Sequence, residues 1–127
     1  MYAYQRLEAW KRAHHGLMLT LKATDAAYHP RSRALFDQLR RAAISVEANI
    51  AEGYALGTVP LYKRHIRIAL GSAAEAECLT RVAREAGYLP APVVRELETT
   101  FGQALASLSG LFRSLHPPRL KSASPRL

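Results

Sequence analysis

"VVRELETTFGQALASLSGLFRSL", residues 93–115, carries the pattern from which the architecture can be read. Within it Val94, Leu97, Phe101, Ala104, Leu108, Leu111 and Leu115 alternate steps of three and four, the spacing that stacks side chains on one face of an α-helix. A seam sustained over that length wants helical partners. Upstream, Gly87 and "YLPAP" (88–92) make a corner, and a long helix is expected before it, from Thr58 as N-cap, with Pro60 in the first turn, to Ala86. Its apolar residues, Ile66, Ala69, Leu70, Ala73, Ala76, Leu79, Val82 and Ala83, cover more than one stripe, so part of its surface is expected to serve oligomerisation. A second helix is expected over Arg33–Glu52, with Ser32 as N-cap, Leu35, Leu39, Ala42, Val46 and Ile50 inward, and Gly53 ending it. The first, Tyr4–Ala27, turns Leu7, Trp10, His14, Leu17 and Leu21 to the core, and "YHPRS" (28–32) breaks the pattern at Pro30. No window sustains the period-two alternation of a strand. Four long helices on short connections imply an all-α, up-down-up-down four-helix bundle.

Composition sets the outer limits. The chain has 127 residues and 49% hydrophobic composition, enough for one core, read as a bundle domain at 1–116 followed by a basic, disordered tail at 117–127. Eighteen Lys and Arg against ten acids give a net charge of +8, which favours polyanions or acidic partners. The lone Cys78 cannot close an internal disulfide and is expected to be a small buried residue in a reducing compartment. Charged residues at the N-terminus exclude a signal peptide, and no uncharged run is long enough to span a bilayer, so the expected setting is cytoplasmic with no membrane partner.

"LRRAAISVEANIAEGY" (39–54), "YKRHIRIALGSAAEAE" (62–77), "REAGYLP" (84–90) and "YQRLEAWKRAHH" (4–15) together resemble the bacterial four-helix-bundle family encoded by open reading frames inserted in 23S ribosomal RNA genes, the intervening-sequence proteins. The resemblance covers about residues 4–115 and implies a bundle assembled as a ring-like homopentamer, with no established enzymatic activity. It also extends to accessory proteins of diversity-generating retroelements, which are basic pentamers associated with a reverse transcriptase and nucleic acid. Two positions depart from the family pattern. Thr58 is followed at capping-box distance by Leu61 instead of Glu, and Glu47 stands where a small residue or proline is frequent.

Two groups of residues are candidates for function. Ser45, Asn49 and Glu52 share one helix face and form either a structural polar seam between helices or, alternatively, the site of a small enzyme or metal protein. Against catalysis, no Glu is followed three residues on by His, H-E-x-x-H is absent, and His14 and His15 diverge on a helix; no cofactor or metal is expected. The second group is basic. Lys63, Arg64 and Arg67 lie in the acid-free stretch 53–74, and Arg40 and Arg41 form a further cluster on the preceding helix. These five are the expected contacts to an RNA or DNA backbone or to an acidic protein such as a nucleic-acid enzyme, with Tyr54 and Tyr62 available to stack on bases. The expected function is a non-enzymatic oligomeric scaffold with a basic docking face.

Overall fold

A computed structural model describes residues 2–115, so the expected tail at 117–127 lies outside the described residues. Helices α1 (Glu8–Ala26), α2 (Arg33–Leu56), α3 (Val59–Glu85) and α4 (Ala91–Ser114) follow one another on short connections, with single 3-10 turns at Ala3–Arg6 and Pro30–Ser32. Each helix packs on its chain neighbours and α4 closes the ring against α1. The described residues contain no strand. This is the expected all-α four-helix bundle.

The α4 seam falls where its spacing puts it. Val94, Leu97, Phe101, Ala104 and Leu108 are fully buried, and Leu111 and Leu115 are half-buried at the open end. Around them the core forms two layers, one centred on Phe36, Leu39, Leu97 and Phe101, the other on Val46, Ile50, Ile66 and Leu108.

Helix α1 corrects the expected stripe. Its buried residues are Ala9, Ala13, Gly16, Thr20 and Thr24, one position round from the series Leu7, Trp10, His14, Leu17 and Leu21. Small side chains on this face let α1 approach α4 closely enough that a Cβ added to Gly16 would stand 2.8 Å from the Phe101 ring. Trp10 is therefore half-buried over the lower layer, stacked on His14 at 4.8 Å and met edge-on by Tyr4 at 5.6 Å. His14 turns outward to Glu47 of α2, with Nδ1 and Oε1 3.0 Å apart. The departure from the family pattern at Glu47 thus supplies an α1–α2 tie. The buried threonines are satisfied locally: Thr20, Thr24 and Thr80 each donate to the carbonyl four residues back, at 2.7–2.8 Å.

Both ends of α2 differ from expectation. Ser32 precedes the helix, but its hydroxyl donates back to the His29 carbonyl at 3.0 Å and does not cap. Gly53 is a buried interior residue; α2 runs one turn further to Leu56, and Gly57 ends it with φ +77°. Thr58 takes the expected N-cap position of α3, but its side chain makes no capping hydrogen bond. At the far end of α3, Gly87 takes φ +73°, with its N–H on the Arg84 carbonyl and that of Tyr88 on the Ala83 carbonyl, a Schellman termination. Cys78 is exposed on α3, where Ala76 and Thr80 take the inward positions, which corrects its expected burial. Val82 is also exposed, together with Ile44 and Met18, and these leave apolar surface on three helices.

Tyr62 carries a cost within this packing. Its hydroxyl is buried without a hydrogen-bond partner among the described residues, and burial, aided by the neighbouring Tyr54, raises its pKa from the ordinary 10.0. An orphaned buried hydroxyl costs roughly 1–3 kcal/mol, so Tyr62→Phe is expected to stabilise the fold by about 1 kcal/mol in urea denaturation. The raised pKa means that the folded chain holds this proton where the unfolded chain releases it. Its contribution is present below pH 10.0 and is lost as pH rises through the folded value, and the variant should show a shallower alkaline loss.

Candidate functional site

The α2–α3 hairpin is zipped by polar and small residues in antiparallel register. Ser72 Oγ donates to Ser45 Oγ at 2.7 Å, and Asn49 Nδ2 donates to the Ser45 carbonyl at 2.8 Å and to its hydroxyl at 3.1 Å. His65 Nδ1 lies 2.9 Å from Asn49 Oδ1; an amide oxygen only accepts, so this nitrogen carries the proton. One turn on, the bare backbone of Gly53 meets α3, where an added Cβ would be 2.7 Å from His65 Cβ. Glu52 stands at the rim, mostly exposed, with Oε1 3.9 Å from His65 Nδ1.

The expected seam thus includes Ser45 and Asn49 as inter-helix contacts and Glu52 as its outer edge, and it gains His65 and Ser72 from α3. These two were legible only as the i and i+7 positions of "HIRIALGS", a spacing that places them on one helix face. The seam's donors and acceptors bond one another, Asn49 to Ser45 within α2 and His65 to Asn49 and Ser72 to Ser45 across to α3, which suits close packing. No group of three His, Cys, Asp or Glu suited to a metal ion occurs among the described residues.

The basic residues divide into two settings. Arg40 is tied into the bundle: Nε donates to Thr24 Oγ1 and a terminal nitrogen to Asp25 Oδ1, both at 2.8 Å, with Asp37 a further 3.8 Å neighbour. Arg41 is folded back on Gln38 Oε1 at 3.0 Å. Since Ser45 is level with Ser72, Arg40 and Arg67 are about 15 Å apart along the bundle axis at 1.5 Å per residue. The five residues do not form one face.

Lys63, Arg64 and Arg67 do converge. They line an open groove of about 1050 Å³ between the start of α3 and the end of α4, completed by Val59, Pro60, Ile68, Phe112 and Leu115. At this end of the bundle Leu111, Phe112 and Leu115 of α4 are only half-buried. Two i, i+4, i+8 rows of α3 form one wall, Val59–Lys63–Arg67 and Pro60–Arg64–Ile68. Val59 is 54% exposed and Ile68 43% exposed. None of the three cations makes an ion pair or side-chain hydrogen bond with a described residue, whereas Arg12, Arg33, Arg40, Arg81 and Arg84 each lie within 4.0 Å of an acid.

The acids agree with this division. Glu8, Asp25, Asp37, Glu77 and Glu98 pair with those arginines, Glu47 and Glu52 face His14 and His65, and Glu75 accepts from Gln38. Tyr54 and Tyr62 meet each other edge-on at 5.8 Å, and the buried Tyr62 hydroxyl shows that this ring is packing, not a base-stacking platform. No helix among the described residues is long and apolar enough to cross a membrane.

None of the curated proteins matches this chain. The family model of the 23S rRNA-intervening sequence protein matches it over residues 5–110, most of its length and all four helices except the last few residues of α4. The groove and the seam therefore belong to a four-helix bundle that is a member of the 23S rRNA-intervening sequence protein family.

Proposed function

We propose that the chain is a non-enzymatic, oligomeric scaffold, acting in the cytoplasm, whose groove between α3 and α4 docks an anionic macromolecule. The observation that carries this is the set Lys63, Arg64 and Arg67: three cations converge on one concavity and none is neutralised within the described residues. Charges left unpaired beside an apolar floor gain more from a counter-charge than solvated ones do, because the local dielectric is lower than that of water. Oligomerisation is supported by the exposed Met18, Ile44 and Val82, apolar surface on three helices, and five subunits is the number the family resemblance implies. A ring would repeat the groove around its surface and multiply weak contacts into avidity.

The test is binding at low ionic strength to two labelled polyanions, mixed-sequence duplex DNA and polyglutamate. The parent should bind, and Lys63→Gln, Arg64→Gln and Arg67→Gln together should weaken both by at least about ten-fold, roughly 1.4 kcal/mol. Gln is close to Lys and Arg in helix propensity, so fold and assembly should persist. Light scattering on the same samples should give a mass above that of the monomer. Absence of binding by the parent would end the docking reading, and a monomer mass would end the scaffold reading.

A further inference from the structure

We infer that the groove's occupant is an acidic amphipathic helix of a different protein, an inference that rests on the docking reading above. The first reason is the composition of the floor. Beneath the cations lie Val59, Ile68, Phe112 and Leu115, a largely aliphatic floor that a phosphate backbone alone would leave wet. A helix that lays an apolar stripe into a groove covers such a floor, and acids flanking its stripe meet the rim.

The second reason is dimension. The α3 wall from Val59 to Ile68 runs about 13 Å at 1.5 Å per residue, some two and a half turns, and Lys63 and Arg67 repeat at one turn. A packed partner helix presents Glu or Asp at that same spacing beside Leu or Ile at i, i+4 and i+7. Third, the counter-charge does not come from this chain. Of its ten acids, all within the described residues, only Glu85 and Glu96 lack a cationic or hydrogen-bonding side-chain partner, and residues 116–127 contain no acidic side chain. The chain's own C-terminal stretch therefore brings no acidic side chain to the groove, and a second copy would bring only Glu85 and Glu96, two carboxylates against three cations, without giving up a partner it already has.

The experiment compares three probes of matched charge by fluorescence anisotropy. They are a synthetic helical peptide of about 18 residues with Leu on one face and Glu on its flanks, long enough to hold a helix, polyglutamate, and mixed-sequence single-stranded RNA. The peptide should bind at least about ten-fold tighter than either other probe, as burying two aliphatic side chains suggests. Val59→Gln with Ile68→Gln, both at exposed positions, should remove that advantage and leave polyglutamate binding unchanged. The inference is overturned if RNA binds as tightly as the peptide, if polyglutamate does, or if the double variant keeps the peptide's advantage. In each of those cases the docking reading survives as long as the Lys63, Arg64 and Arg67 variant loses binding. If no probe binds the parent, both fall together.

Discussion

Gly53→Val is expected to lower the free energy of unfolding by about 3–5 kcal/mol, combining overpacking with the loss of seam hydrogen bonds. Gly53 is buried inside α2, and the first carbon of any side chain there would lie 2.7 Å from His65 Cβ and 3.1 Å from the Tyr62 ring. The His65 atom is a Cβ, fixed to the α3 backbone, so the neighbour cannot swing away as a flexible side-chain tip would. The helices must separate, and separation pulls His65 from Asn49 and Ser72 from Ser45, which are bonded at 2.9 and 2.7 Å. Buried polar groups that lose partners add to the steric term. Gly102 on α4 is the control, because nothing lies within 4 Å of its added Cβ. Gly102→Ala should stabilise by roughly 0.8–1 kcal/mol through helix propensity. Urea denaturation of both variants checks the pair. A Gly53→Val chain as stable as the parent would show that the hairpin does not depend on this close approach.

Across the bundle, a second pair of residues should show a reversal of sign. Phe101→Ala should cost about 3–5 kcal/mol, the usual penalty for emptying a fully buried aromatic site. Gly16→Ala alone should also destabilise, by about 1–3 kcal/mol, because its methyl would stand 2.8 Å from Phe101 Cε1. With Phe101 already replaced by Ala, that methyl enters vacated space. Gly16→Ala should then become neutral or stabilising, up to about the 1 kcal/mol by which Ala exceeds Gly in a helix. Such coupling is what contacting sites show in a double-mutant cycle. Additive effects would mean that the α1–α4 approach is not set by this glycine and this ring.

These two glycines also show how much of the molecule was legible from its residues. The α4 seam, the corner at Gly87 and the number of helices followed directly from spacing and stop signals, because a long apolar repeat has only one helical reading. Gly53 misled because a glycine after a periodic run is the ordinary mark of a helix end. Ending α2 there removes one turn and shifts the α2–α3 register by four residues, so the partners of Ser45 and Asn49 could not be named. With the turn at Gly57, Ser45 falls opposite Ser72 and Asn49 opposite His65. On α1 the largest side chains marked the wrong face, because the core there is built from Ala9, Ala13 and Gly16, with Gly16 set against Phe101. Hydrophobicity alone does not report which face a neighbour's bulk leaves room for. The basic groove was half legible: Lys63, Arg64 and Arg67 were visible as a cluster, but Arg40 could be assigned to Thr24 and Asp25 only once α1 was in place. The apolar floor drew one wall from α3 and the other from the end of α4, a juxtaposition that depends on the bundle's closure.

If three free cations in one groove make the docking site, the salt dependence of binding must report them. On mixed-sequence duplex DNA, log K should fall linearly with log salt, with a slope of about −0.9 for each phosphate neutralised. Parent and Lys63→Gln, Arg64→Gln, Arg67→Gln chains are compared across a salt series at equal oligomer concentration. The expected outcome is a steep slope for the parent and one flatter by about 2–3 for the triple variant, since each cation removed leaves about one phosphate with its counterions. A triple variant with the parent's affinity and slope would refute the groove as the docking site, because the charge that binds would then lie elsewhere on the protein.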